Sequence, residues 1–334
     1  MTHRELVFRA LDCAGPARAP RQLWSLPWAD LHHPGAAASI LAEFPSDLVS
    51  VPGFDRQPER TLGDAYAAGT YVDAWGCVFE NRQPGVIGEV KRPIVEDWAD
   101  TSRVHFPTGW LTIDAEQVNA WCRGTDGFRM AGCCPRPFEQ LQFMRGTENL
   151  LIDLALGDAG LMAFIDRLHA FYCEELELWA KTEVDALMFM DDWGSQQGLL
   201  ANPLLWREVF RPLYADYVRI AHEHGKRAFM HSDGHILAVI PDLIEIGLDA
   251  VNSQIFCMGV DKLSEYAGQI TFWGEIDRQR LLPEATTAEI DAAVRAVHAA
   301  LWRDGGCIAQ CEFGAGARPE NVRQVFASWD AVTT

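Results

Sequence analysis

The chain has 334 residues, with 28 Lys plus Arg against 47 Asp plus Glu and a formal net charge of −19. A chain of this length buries a core without disulfides or a structural metal, and its acidic balance excludes nonspecific binding to nucleic acid or to an anionic membrane surface, which both need a Lys/Arg face. Nine cysteines with no CxxC pair do not make a disulfide framework; the charged N-terminus (Arg4, Glu5, Arg9, Asp12) and the lack of an apolar run near ~20 residues predict a cytoplasmic protein without a membrane span.

Taken in chain order, residues 22–26 and 47–51 predict the first two strands, with helical residues 40–44 between them. Residues 70–91 carry aromatic and β-branched side chains around Asn81-Arg82-Gln83-Pro84-Gly85, which predicts an inserted β-hairpin. A short helix over 114–123 precedes a third strand at 128–131, and helices follow over 138–145 and 158–181. The second half is more regular. Strands at 186–190, 227–230, 250–251, 270–273 and 307–310 alternate with helices at 203–224, 236–246, 287–303 and 319–329. Pro203 opens the first of these helices and Gly225 follows its end, as helix boundaries favour.

Alternating strands and helices predict a parallel sheet. No GxGxxG follows an early strand, which disfavours a dinucleotide-type doubly wound sheet. A polar, chemically competent residue follows each strand of the second half: Asp191, His231, Gln254, Glu275 and Cys311. In a (β/α)8 TIM barrel such positions converge on one mouth, where the active site sits. The expectation is therefore one barrel domain over residues 1–334 with an elaborated N-terminal half.

Within that mouth, His231-Ser232-Asp233 and Cys311-Glu312 offer imidazole, carboxylate and thiolate, all competent zinc ligands. The competing reading is a hydrogen-bonded His and a core Cys. Asp191 and Asp192 could bind a metal, orient a His or work as acid and base, or could simply cap a helix; Asp191, directly after the apolar run, is the expected mouth residue. Glu275 is a candidate base or further ligand. Asn252 and Gln254 are neutral hydrogen-bonders suited to orienting a substrate. Trp193, Gln196 and Gln197 lie in a loop expected to cover the mouth, and Cys133 and Cys134 are expected in the core.

With these residues laid out, the chain resembles the uroporphyrinogen decarboxylase superfamily, nearest its cobalamin-dependent methyltransferase branch. The resemblance rests on Phe229-Met230-His231-Ser232-Asp233-Gly234, on residues 240–250, on Asn252-Ser253-Gln254, and on Gly305-Gly306-Cys307-Ile308-Ala309-Gln310-Cys311 with Pro319-Glu320-Asn321-Val322. Phe138-Glu139 and Arg145-Gly146 are similar too, and the likeness spans roughly residues 128–330. It implies a (β/α)8 barrel. Decarboxylase members hold an acidic tetrapyrrole with an Arg-rich N-terminal segment, where this chain has Gln22-Leu23-Trp24-Ser25-Leu26-Pro27-Trp28, so uroporphyrinogen itself is disfavoured. Methyltransferase members hold zinc through a His-x-Cys and a later Cys. His231 and Cys311 match the outer ligands, and Asp233 stands where the middle thiolate would be. A carboxylate there makes a harder, more Lewis-acidic site.

The resemblance implies a metal-dependent methyltransferase that moves a methyl group between a separate corrinoid protein and a small acceptor. His231, Asp233 and Cys311 would hold zinc, Asp191, Glu275 and His231 would carry catalysis, and Trp193, Gln197, Asn252 and Gln254 would bind substrate. The alternative is a cofactor-independent decarboxylase or lyase in which Asp191 and His231 do acid/base work on a small carboxylate. A noncatalytic barrel that binds a ligand is the third reading, against which the convergence of ionisable groups argues.

Overall fold

The computed structural model describes residues 1–57 and 60–334. Eleven strands are named among them: β1 Arg21–Ser25, β2 Leu48–Ser50, β3 Gly69–Val72, β4 Val78–Asn81, β5 Glu89–Val90, β6 Phe128–Met130, β7 Ala186–Met190, β8 Arg227–Ser232, β9 Ala250–Ser253, β10 Thr271–Trp273 and β11 Cys307–Phe313. Eight form a parallel sheet in the order β1-β11-β10-β9-β8-β7-β6-β2. The seam between β2 and β1 is drawn together by the Asp47 N–H, which donates to the Arg21 carbonyl at 2.8 Å. The expected TIM barrel is therefore the observed architecture. No helix among the described residues is long and apolar enough to cross a membrane.

Strand alternation divides the barrel's side chains into two sets. Leu48, Phe128, Ala186, Phe229, Ala250, Trp273 and Ile308 fill the interior. Their neighbours, such as Leu187, Ala228, Val251, Phe272 and Cys307, pack outward against the helices. The N-terminal helix His3–Leu11 closes the bottom, where Val7, Phe8 and Leu11 join the interior cluster. Its Thr2 and Glu5 form a reciprocal capping box, which satisfies two otherwise orphaned backbone N–H groups.

Several boundaries differ from expectation for physical reasons. The strands β8, β9 and β11 run two or three residues past the ends of their apolar runs, because ladder pairing continues to the mouth: His231 pairs with Asn252 and Ser232 with Ser253. Candidate site residues thus sit on strands, where the backbone is fixed. The predicted helix over 203–224 is two helices, Pro203–Val209 and Arg211–Glu223, each with proline in its first turn. The inserted hairpin is a three-stranded antiparallel sheet, β3-β4-β5. Its first turn is tight because Asp73 Oδ1 accepts the N–H groups of Trp75 and Cys77, at 3.0 and 2.7 Å; the predicted turn at 81–85 instead joins β4 to β5.

Candidate metal centre

The mouth of the barrel is built by the ends of β7 and β8. Phe229 points into the interior and Met230 away from it, so the two-residue period carries His231 and Asp233 inward. On β7 the same period turns Met188 inward and brings Asp192 to the mouth. The loops after these strands touch backbone to backbone. A Cβ on Gly234, whose φ is +78°, would stand 2.0 Å from the Gly194 carbonyl oxygen, and one on Gly194 would stand 2.2 Å from the His235 nitrogen. These two glycines let the Asp192 and Asp233 loops approach, and the Gly194 N–H donates to the Asp233 carbonyl at 3.0 Å.

His231 is held in one tautomer. Asn252 gives an amide N–H to the Trp273 carbonyl, which can only accept, so its Oδ1 faces His231 Nδ1 at 2.6 Å. Nδ1 therefore carries the proton and Nε2 presents a lone pair to the mouth. Nε2 lies 3.6 Å from Asp192 Oδ1 and 3.6 Å from Asp233 Oδ1. Asp192 Oδ1 also accepts the Asp233 backbone N–H at 2.9 Å. The ligand atoms of Asp192, His231 and Asp233 all lie within 4.8 Å of one another. The Trp24 ring packs 5.4 Å from the imidazole and forms the floor.

Three further charged groups complete the mouth. Arg278 pairs with Asp233 Oδ2, donates to Glu312 Oε2 at 2.9 Å and approaches Glu275 Oε1 at 3.5 Å. Its hold on one Asp233 oxygen leaves the other, Oδ1, buried with no hydrogen-bond partner among the described residues. Glu275 Oε1 is orphaned in the same sense. Burial drives the Glu275 carboxyl well above its ordinary 4.5; Arg278 opposes this, while Asp233 and Glu312 add to it. Glu312 is raised for the same leading reason, again with Arg278 opposing.

The structure redistributes the expected site residues. Cys311 is not at the mouth. It lies with Ala309 and Phe313 in the core between strands and helices, while Ile308 fills the barrel interior, so the inward residue at the end of β11 is Glu312. Burial also pushes the Cys311 thiol well above its usual range, with Glu275 and Glu312 adding to the shift. Asp191 faces outward too. Its carboxylate accepts from Tyr214 Oη at 2.6 Å and from the Glu139 and Phe138 N–H groups at 2.7 and 3.0 Å, anchoring the start of the helix Pro137–Arg145. Trp193 is fully buried, stacked on Phe138 with ring centroids 3.8 Å apart, and donates to Tyr214 at 2.7 Å. It cannot cover a substrate. Gln197 is exposed at its loop tip; its neighbour Gln196 turns to the mouth and meets Gln254 at 3.3 Å. Asn252 is buried behind His231 and orients it. Cys133 is buried and Cys134 half-buried, as free thiols.

Sequence reasoning passed over Arg278 and Trp24, and set Glu312 at the mouth beside Cys311 without giving it a role. Glu312 had a signal: it is the one charged residue of β11, and a charge in such a strand must face solvent or a site.

The sequence from residue 70 to residue 332 matches the uroporphyrinogen decarboxylase (URO-D) family. The chain belongs to that family. No curated protein sequence matches this URO-D chain. Among solved structures, a methyltransferase from Methanosarcina mazei aligns over 100% of both chains with a TM-score of 0.66 and 15% identity. A glycosylated endo-β-1,4-xylanase from Gloeophyllum trabeum aligns over 96% of this chain and 99% of its own, with a TM-score of 0.46 and 11% identity. The first shares the URO-D fold over its whole length.

Proposed function

We propose that this URO-D family chain is a metal-dependent methyltransferase, transferring a methyl group between a corrinoid protein and a small acceptor. The observation that carries the reading is the arrangement of Asp192, His231 and Asp233. Two ligands on one zinc, at bond lengths of about 2.0–2.1 Å, stand roughly 3.4 Å apart, and His231 Nε2 is 3.6 Å from each carboxylate oxygen. The orphaned Asp233 Oδ1 and the fixed imidazole lone pair both favour a cation there. The carboxyl groups of Asp233, Glu275 and Glu312 share the one guanidinium of Arg278, with Asp192 beside them, a balance that favours a cation. The match in fold to a protein described as a methyltransferase accords with this reading.

Bound at this centre, zinc supplies Lewis acidity that makes the acceptor's heteroatom nucleophilic at neutral pH. The chain's own residues do the rest. Asn252 keeps the His231 lone pair on the mouth side. Arg278 fixes the Asp233 carboxylate so that one oxygen remains for the cation. Glu275, whose carboxyl burial raises well above its ordinary 4.5, stands at the mouth to exchange a proton with the acceptor. Gln254 and Gln196 border the cavity and orient the acceptor through neutral hydrogen bonds. A set of one nitrogen and two carboxylate oxygens is harder than one containing sulfur and suits an oxygen-bearing acceptor.

Two observations weigh against the other readings. Asp191 is engaged behind the mouth, so the Asp191–His231 acid/base pair of a lyase does not assemble. A polycarboxylate tetrapyrrole would face Asp192, Asp233, Glu275 and Glu312, and the last three already share Arg278.

The test is metal content and methyl transfer from methylcobalamin to a panel of small acceptors, before and after chelation. Activity should be lost on chelation and restored by zinc. His231→Gln should remain folded and bind zinc at least about 100-fold more weakly, more than the usual effect of changing a neighbouring support residue. Turnover that persists in metal-free protein would overturn the proposal.

A further inference from the structure

A second cavity opens beside the metal centre, beneath the inserted sheet. Its volume is about 670 Å³, within the range of pockets that take small organic molecules. Tyr71 and Phe79 line it from β3 and β4, and Phe143 and Trp179 line it from the barrel helices. Gly88, Glu139 and Phe143 border both this chamber and the mouth cavity that contains Asp192 and Asp233. Chamber and metal centre are therefore adjacent rooms with a common wall.

The chamber's polar groups differ in how far they are already satisfied. Asp73 is occupied by the N–H groups of its own turn. Asp55 and Glu175 are engaged within the protein. Glu139 accepts from Arg136 Nη1 at 3.0 Å. Arg136 is the exception, because among the described residues that is the guanidinium's one hydrogen bond, and a guanidinium carries five N–H donors. Each acid already has a partner within the protein, and the cation has donors to spare.

We propose that this chamber binds a small aromatic carboxylate, with its ring against the aromatic walls and its carboxylate on Arg136. A guanidinium matches a carboxylate through two parallel N–H bonds, and flat aromatic ligands gain from offset or edge-to-face ring contacts. The opposite assignment, an organic cation in an aromatic cage, would set a second cation beside Arg136. As a binding site the chamber stands without the metal reading; as the place where the methyl-carrying or methyl-accepting molecule sits, it rests on that reading.

The experiment is calorimetric titration of the full chain, with and without zinc, using three probes: 2-naphthoate, its neutral isostere 2-naphthamide, and benzyltrimethylammonium. The acid should bind at least about tenfold more tightly than the amide, the loss expected when a charge-assisted hydrogen bond is removed. Arg136→Gln should erase that preference while amide binding persists. Asp192→Asn and chelation should leave naphthoate affinity unchanged, so loss of the metal centre and loss of the chamber are read separately. Equal affinity for acid and amide, strongest binding of the cation, a strict zinc requirement for naphthoate, or no binding by any probe would overturn the proposal.

Discussion

At the closed end of the barrel each strand-leading carboxylate has its own basic partners. Asp47 is held by Arg18 at 2.7 Å and by His3 at 2.5 Å, Asp185 by Arg129 at 2.7 Å and Arg4 at 2.8 Å, and Asp249 by Arg227 at 2.9 Å and His222 at 2.8 Å. At the open end Asp192, Asp233, Glu275 and Glu312 share Arg278 and His231. The same side-chain chemistry therefore has opposite consequences. Where cations match a carboxylate, as at Asp185, its desolvation is outweighed: the hydrogen bonds from Arg129 and Arg4 lower that carboxyl below 3.8. Where they do not, burial wins and Glu275 and Glu312 are raised. One end stores stability, and on the proposed reading the other keeps room for a cation.

The largest effect that would break this contrast is at the closed end. Asp185→Ala leaves Arg129 without its buried partner and should cost about 3–5 kcal/mol of stability, measured by denaturant unfolding, with zinc affinity unchanged. Asp192→Asn should do the reverse, changing stability by less than about 1 kcal/mol while zinc affinity collapses. A large stability loss in both would erase the distinction between the ends.

Cys311→Ala should follow at about 1–2 kcal/mol, the cost of a small cavity in the strand–helix core. Metal content, read by elemental mass spectrometry, should equal that of the unaltered chain. Loss of metal would return Cys311 to the ligand set.

The smallest effect is a trend with pH. The folded Glu275 carboxyl is raised above its ordinary 4.5, so the folded state holds that proton more tightly than the unfolded chain does. Its contribution is complete below about 4.5 and is lost as pH climbs through the folded value. Glu275→Gln should thus match the unaltered chain in acid and gain in relative Tm as pH rises. Asp185, lowered on folding, has the opposite sign: its contribution is present above its ordinary 3.8 and is lost as pH falls through the lower, folded value. A Tm difference for Glu275→Gln that is flat with pH would mean its carboxyl is not held protonated.

The barrel itself was legible because apolar runs alternate with amphipathic helices along most of the chain. The phase of each strand at its end was not. At both Asp191/Asp192 and Cys311/Glu312 the residue next to the apolar run looked right and its successor faces the mouth. One residue of slip moves a side chain to the other face, and no local pattern fixes that phase when both faces of the strand are buried. It is fixed by contacts distant in sequence, such as Trp273 donating to Gln22 at 2.8 Å inside the barrel. His231 and Asp233 were found because β8 happened to be read in phase. Arg278 lies in a loop after β10 and has no periodicity to mark it.

The central claim is the identity of the metal's ligands. Zinc-edge X-ray absorption of the loaded chain measures them directly. A shell of nitrogen and oxygen alone, at about 2.0–2.2 Å, is the predicted result, unchanged in Cys311→Ala and lost in His231→Gln. A sulfur shell at about 2.3 Å that disappears in Cys311→Ala would contradict it.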